Sequence, residues 1–445
     1  MENRKIQLPD KVAHIIDILT KQGCEAYAVG GCVRDSMLGR VPQDWDITTS
    51  AKPKQVKALF RHTIDTGIQH GTVTVMIDRE GFEVTTYRID GAYEDARHPK
   101  EVIFTGNLLE DLKRRDFTIN AMAYNERDGL VDAFDGIGDL ARGVIRCVGC
   151  ATERFSEDAL RMLRAIRFAA QLGFAIEDET ECAIGELAGN IAKVSAERIQ
   201  TELVKLLLSA HPERIVTAYQ TGLTAVFLPE FDVMMRTQQR NPHHCYPVGE
   251  HTVEALKGVS ADKVLRLAAL LHDVAKPICR TTDAQGIDHF YGHPAKGADM
   301  ARTVLRRLKF DNDTTDRVCA LVKWHDDNPK PVEPAIRRAI HRIGIDQYPA
   351  IFAVKRADIR AQSTYRQEEK LAYVDAYEKL YCEIMDREEC ISLKQLAVTG
   401  SDLIAAGMKP GREIGEMLKV MLELVLEEPE RNTKEALMEL ARERM

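Results

Sequence analysis

Apolar positions follow two rhythms along this chain, and the change between them divides it. Tyr27-Ala28-Val29, Gly71 to Ile77 (GTVTVMI) and Phe82 to Tyr87 (FEVTTY) are short β-rich runs. The last two are separated by Asp78-Arg79-Glu80-Gly81, a spacing that predicts a hairpin. Residues 10–22 and Lys54 to Phe60 read as helices between these runs. Glu110 to Asn125 begins as a helix, with Leu112 beside basic residues and Phe117, Ile119 and Met122 directed to a core. Val131 to Gly143 is turn-rich and closes the mixed region. From Thr152 the chain is expected to be almost wholly helical. Ser156 is expected to cap a helix beginning at Glu157, on which Leu160, Leu163, Ile166 and Ala170 make one apolar stripe. Ser195 to Leu208 and Glu368 to Asp386 are further helices.

Candidate chemistry concentrates in three places. The first is Tyr27 to Ser50. Gly30-Gly31 lets the backbone approach a ligand closely, and a short helix from Val33 to Leu38 stops at Gly39. Asp44 and Asp46 then fall on one side of an extended segment. Carboxylates that close repel unless a cation lies between them, and Mg²⁺ prefers such oxygens together with substrate phosphates. The glycine turn would offer N–H groups to a triphosphate, and Arg34 a counter-charge. Glu83, on a strand, is either a third carboxylate or an ordinary exposed glutamate.

Further along, Lys113-Arg114-Arg115 abuts an apolar stretch that also holds Asp116 and Asn120. Arg88 to Lys100 between them has the polar, glycine- and proline-containing chemistry of a mobile lid. Asp158, Arg161, Arg164 and Arg167 recur every three residues. That spacing suits i,i+3 ion pairs on an amphipathic helix. It equally suits base reading: cytosine and adenine each present an amino donor beside a ring-nitrogen acceptor, which a carboxylate and a guanidinium complement. Guanine and uracil reverse both positions and would leave buried partners unpaired.

The third place is a histidine series after a polar boundary at Asn241-Pro242. It runs His251, His272-Asp273, His293, His325-Asp326 and then Asp358. Imidazole and carboxylate on successive helices suit a divalent metal such as Ni, Mn, Fe or Mg.

Composition narrows the class. A chain of 445 residues suggests several domains, and 44% hydrophobic with 29% charged residues is the balance of a globular protein. No run is long and apolar enough for a membrane span, and MENRKIQLPDK has no signal-peptide core. Ten scattered cysteines point to reduced thiols and a cytoplasmic location. Cys147 and Cys150 form the sole C-x-x-C, with no second pair to complete a zinc site. A net charge of −8 leaves room for one basic cleft but not for a nucleic-acid coat.

Gly-Gly-x-Val-Arg-Asp with Asp-x-Asp resembles the polymerase-β-like nucleotidyltransferases, in the branch of bacterial CCA-adding tRNA nucleotidyltransferases and poly(A) polymerases. RRDFTINA and EDxxR are similar to further motifs of that family. The resemblance implies an α+β fold: a nucleotidyltransferase head with a small mixed sheet at 1–145, a helical neck at 146–235, an HD domain at 236–370 and a tRNA-binding helical tail at 371–445. It implies CCA addition to tRNA from CTP and ATP, catalysed with Mg²⁺ on Asp44 and Asp46. Gly30, Gly31, Arg34, Arg115, Asp116 and Asn120 would hold the nucleotide. Asp158 and Arg161 would read the base, backed by Arg164 and Arg167. The histidine series resembles HD phosphohydrolases, with His251, His272, Asp273 and Asp358 as ligands and His293 and His325 as further candidates. A-only addition, poly(A) synthesis and a phosphohydrolase with an RNA-binding head stay open as alternatives.

Overall fold

The computed structural model describes residues 5–90 and 102–444. The lid expected at Arg88 to Lys100 lies largely outside the described residues. The chain divides into two compact units, Met1–Pro229 and Glu230–Met445.

The first unit is built on a seven-stranded sheet, flanked by the helices α1 (Asp10–Lys21) and α2 (Gly31–Met37). Its strands are β1 (Ala26–Val29), β2 (Ile47–Thr49), β3 (Thr63–Gly67), β4 (Thr72–Ile77), β5 (Glu80–Thr86), β6 (Met122–Asn125) and β7 (Gly129–Asp132), in the order β3-β4-β5-β2-β1-β6-β7. Every neighbour pair is antiparallel except β2 with β5, where Ile47 lies opposite Val84. The β4–β5 hairpin is tighter than expected. Only Asp78 and Arg79 turn, both at positive φ (48° and 68°), as a two-residue loop matched to strand twist requires. Glu80 and Gly81 are already in the ladder, opposite Ile77 and Met76.

Three further expectations are corrected. The helix of the Lys113-Arg114-Arg115 stretch is Leu108–Lys113 alone. Met122–Asn125 is a strand buried at every position, so it shows no alternation to read. The helix expected from Glu157 is two helices, α3 (Ala151–Glu157) and α4 (Leu160–Leu172). Ser156 is not a cap; its hydroxyl donates to the Thr152 carbonyl inside α3. Asp158 sits in the break at φ −141° and ψ 102°, and its carboxylate accepts the Leu160 N–H at 3.1 Å. An oxygen that takes an orphan amide in this way starts a helix rather than continuing one. The helical remainder also holds two short ladders, Val144–Ile145 with Ala175–Ile176 and Thr281–Thr282 with Asp288–His289.

The sheet core gathers Tyr27, Val29, Tyr87, Leu112, Ala121 and Ala123, with Val148 from beyond the sheet. The second unit is nearly all helical. Among its helices are α5 (Val248–Gly258), α6 (Lys263–Leu271), α7 (His293–Arg307), α8 (Asn312–Trp324) and α9 (Tyr348–Ala361). α5 and α9 approach closely where Gly258 meets Ala357: a Cβ on Gly258 would lie 3.1 Å from the Ala357 Cβ. No helix among the described residues is long and apolar enough to cross a membrane. All ten cysteines are free.

Candidate functional site

The single parallel pairing in the sheet creates the first site. Because Ile47 lies opposite Val84, the preceding residues, Asp46 and Glu83, emerge side by side. Asp44 and Asp46 both line two cavities. One, of about 510 Å³, carries Glu83, Thr74 and Trp45. The other, of about 680 Å³, carries Gly31, Arg34, Arg40, Arg167 and Lys205. The two aspartates thus separate an acidic hollow from a basic one.

Charge repulsion is visible in the acids. Partial desolvation raises the pKa of Asp46, Arg115 opposes that rise, and Asp44 adds to it. Glu83 is raised by burial and then by Asp46 and Asp44. No hydrogen bond or ion pair holds the Asp44, Asp46 or Glu83 carboxylate among the described residues. Glu83 is an electrostatic neighbour of the pair. Oxygen donors without imidazole or thiolate, crowded and unneutralised, fit a hard divalent cation.

Gly30 turns the chain out of β1 at φ 82°, and its N–H donates to the Met122 carbonyl at 3.1 Å. A Cβ there would come within 3.0 Å of Arg115 Nη1. Gly30 therefore makes room for Arg115, and the amides left for a ligand begin at Gly31. Arg115 is crowded by burial, which lowers its pKa, while Asp111, 3.6 Å away, and Asp46 favour its charge. Its Nε is buried without a partner.

Behind the turn runs a continuous polar relay. Arg34 Nη1 donates to Asn120 Oδ1 at 2.7 Å, and Asn120 Nδ2 donates to Asp116 Oδ1 at 3.2 Å. Asp116 receives Arg164 from the other side. Burial would raise Asp116, but Arg164, Arg161 and Asn120 hold it far below the usual carboxylate range. Arg167 Nε donates to Glu202 Oε2 at 2.8 Å. The guanidinium carbons of Arg34, Arg164 and Arg167 lie 5.1, 5.4 and 3.4 Å from the Phe168 ring centre, within cation–π range.

Asp158 and Arg161 do not share one helix as their three-residue spacing suggests. Asp158 is in the α3–α4 break and accepts Arg198 Nη2 at 2.7 Å. Arg161 donates to Glu157 at 2.6 Å and to the Arg114 carbonyl at 3.0 Å. Of the four residues at that spacing, Arg167 is the one that lines the cavity beside Asp44. Sequence reasoning missed Lys205 and Arg40 in that cavity, because neither belongs to a local pattern. Arg198 stood beside its signal, three residues after Ser195, without a partner to suggest its role.

The histidine series converges in the second unit. His251 on α5, His272 and Asp273 after α6, His293 opening α7, His325 after α8 and Asp358 on α9 come together. His251 Nε2 lies 2.9 Å from Asp358 Oδ1 and 3.4 Å from His272 Nε2. Burial would raise Asp273, but His272 and Lys276 hold it well below its usual range. His251 with His272 and Asp273, and Asp273 with His293 and His325, each have ligand atoms at metal-holding spacing.

Residues 26–146 match the Poly A polymerase head domain. Residues 173–235 match the family described as "Probable RNA and SrmB- binding site of polymerase A", and residues 295–441 match the family described as "tRNA nucleotidyltransferase domain 2 putative". The CCA-adding enzyme of Lactiplantibacillus plantarum is 36% identical over 433 residues, 96% of this chain and 94% of that enzyme. The crystal structure of the Bacillus stearothermophilus CCA-adding enzyme in complex with CTP is 31% identical, with a TM-score of 0.72 over 97% of each chain. The Thermotoga maritima CCA-adding enzyme complexed with tRNA shares the fold, with a TM-score of 0.61 at 20% identity over 98% of this chain and 97% of that one.

Proposed function

The chain belongs to the CCA-adding enzymes, and from that footing we propose how its own residues carry the reaction. It adds CCA to the 3′ end of tRNA from CTP and ATP: the terminal 3′-hydroxyl attacks the α-phosphate and pyrophosphate leaves. Asp44 and Asp46 hold Mg²⁺, which when bound stabilises charge on the transferring phosphoryl group. The observation that carries this assignment is the pair of unneutralised carboxylates between a basic cavity and Glu83. The amides from Gly31 and the charges of Arg34 and Arg115 orient the triphosphate. Asp116 and Asn120 keep Arg34 and Arg164 in place rather than touching the phosphates. Asp158 and Arg161 read the base by leaving Arg198 and Glu157. Ten unpaired cysteines support work in the cytoplasm. The tail, 371–445, would hold tRNA. Purified protein given tRNA lacking CCA, or ending in CC, with each NTP in turn tests the reading. Incorporation of C, C and then A supports it; A alone after CC would assign an A-adding enzyme, and an untemplated A tract a poly(A) polymerase.

A second activity is favoured by the histidine cluster. We propose that His251, His272, Asp273 and Asp358 bind a divalent metal (Ni, Mn, Fe or Mg), at which a phosphate ester such as a 2′,3′-cyclic nucleotide is hydrolysed. Their four ligand atoms lie 2.9 to 3.8 Å apart where paired. His272→Ala should lose that hydrolysis and keep nucleotide addition; equal loss of both defeats the two-site reading.

A further inference from the structure

The two cavities that share Asp44 and Asp46 differ in charge beyond those carboxylates. The hollow of about 510 Å³ is lined by Glu80 and Glu83 and by no cation among the described residues. The cavity of about 680 Å³ is lined by Arg34, Arg40, Arg167 and Lys205. A triphosphate held at the two carboxylates therefore runs its β- and γ-phosphates into the basic cavity. The attacking 3′-hydroxyl then comes from the acidic side, because attacking and leaving oxygens lie roughly in line.

The four cations are not equivalent. Arg34 donates through Nε and Nη2 to Asp35 at 2.9 and 3.0 Å and through Nη1 to Asn120. Arg167 donates to Glu202 at 2.8 Å and to Gln171 at 2.9 Å. Both are buried in the wall with a carboxylate each. Arg40 and Lys205 are exposed, and neither side chain has a hydrogen-bond or ion-pair partner among the described residues. Positive charge without a protein counter-ion is therefore concentrated in these two.

Each stands on a fixed backbone. Arg40 follows α2, which Gly39 closes at φ 73°. The Gly39 N–H donates to the Ser36 carbonyl at 3.0 Å and the Arg40 N–H to the Asp35 carbonyl at 2.8 Å. This nested pair is a Schellman ending, which sets the direction in which Arg40 leaves the helix. Lys205 lies three residues after Glu202 on the helix Ala196–Leu207, so the two are surface neighbours. The buried Glu202–Arg167 pair ties that part of the helix to α4.

We propose that Arg40 and Lys205 bind the β- and γ-phosphates of the incoming nucleotide and the pyrophosphate it releases. Arginine supplies a planar fork and lysine a rotatable point charge, both suited to phosphate oxygens. In the step they serve, the RNA 3′-oxygen bonds to the α-phosphorus. The bond from that phosphorus to the α–β bridging oxygen breaks, its electron pair stays on that oxygen, and the hydroxyl proton passes to solvent. The negative charge that develops on the leaving group appears in the cavity that Arg40 and Lys205 line. The inference rests on the reading of Asp44 and Asp46 as the Mg²⁺ site, and it adds the residues that receive the leaving group.

Pyrophosphate is the probe, because it has no base, sugar or α-phosphate. Full-length protein, Arg40→Gln and Lys205→Gln are titrated calorimetrically with pyrophosphate in the presence of Mg²⁺. Inhibition of A addition by pyrophosphate, on tRNA ending in CC, is measured beside the KM values for ATP and tRNA. Each substitution should raise the dissociation and inhibition constants of pyrophosphate about 10-fold, the scale of one charge-assisted contact. The KM for ATP should rise with them, while the KM for tRNA and the urea midpoint stay. Lys205→Arg should recover most of the pyrophosphate affinity. Wild type that binds no pyrophosphate, or unchanged affinity in either Gln variant, overturns the proposal. A raised KM for tRNA alone overturns it in favour of RNA phosphates, and equal losses with a lowered urea midpoint in favour of a structural role. Failure of the Mg²⁺ reading shows separately, as turnover that survives Asp46→Ala.

Discussion

Arg164 grips Asp116 through two donors, Nε at 2.9 Å and Nη2 at 2.5 Å, and so ties α4 to the strand-bearing part of the first unit. Asp116 is buried while the Arg164 side chain is 32% exposed, so breaking the pair strands the carboxylate. Arg164→Met should therefore cost about 2–3 kcal/mol of stability, read as a lower urea midpoint. It should also raise the KM for both CTP and ATP, since Asn120 and Arg34 hang from the same carboxylate. Unchanged KM values would confine the relay to folding.

Asp46→Ala removes one of two carboxylates that no protein cation pairs with directly among the described residues. Nucleotide addition should fall by about 10³-fold or more, the several-kcal/mol scale of charge stabilisation by a bound metal. The melting temperature should stay or rise, because repulsion with Asp44 and Glu83 is relieved. Turnover near wild type would remove the pair from the mechanism.

Asp158→Ala should weaken use of CTP and ATP and erode rejection of UTP and GTP, a discrimination that buried polar partners set at about 10⁴-fold. Arg198→Ala, which frees Asp158 without deleting it, should alter nucleotide affinity and relax the rejection of UTP and GTP less than Asp158→Ala does. Selectivity unchanged in Asp158→Ala would reduce this cluster to a set of ion pairs.

His244 is kept uncharged by burial, with Lys276 and His251 adding to the effect, and its pKa is pushed down to about 3. Unfolding returns it to about 6.5. Between those values the unfolded chain binds a proton that the folded chain does not, so this residue makes stability fall as pH drops from about 6.5 towards 3. In metal-stripped protein, His244→Gln should flatten the decline of the urea midpoint between pH 6.5 and 4.5. An unaltered slope would clear His244 of any part in acid sensitivity.

The segment expected as a lid begins from a fixed base. Arg88 donates to the His70 carbonyl at 2.5 Å and, through its N–H, to Asp111 at 3.3 Å, next to the buried Tyr87. Deleting several residues within 91–100 should leave addition of CC nearly intact and lose the final A. Equal loss of C and A would indicate a folding role, and no loss would make the segment incidental.

What the sequence disclosed and what it hid follow physical lines. Asp44, Asp46 and the Gly30 turn were legible because their chemistry depends on spacings of one or two residues. The histidines were legible because imidazole on apolar helices is costly without a purpose. Met122–Asn125 was not, since a strand buried on both faces has no period. The α3–α4 break was hidden because Ser156, Glu157 and Asp158 are each plausible at a helix start, and only the Leu160 amide shows which one serves. Lys205, Arg40 and the Arg198–Asp158 pair are meetings of distant segments, for which one sequence holds no record.

Asp158 and Arg161 are each already matched with a protein partner. On the proposed base-reading role, an arriving base would make an exchange, one set of hydrogen bonds given up for another of the same kind. Cytosine and adenine would complete that exchange by returning a hydrogen bond to each side chain. Uracil and guanine would open Arg198–Asp158 and Glu157–Arg161 and return nothing, so the resting partners act as competitors that close the site again. Fidelity in such a device would be a matter of reversion speed as much as of fit: the wrong nucleotide would be displaced by the enzyme's own side chains.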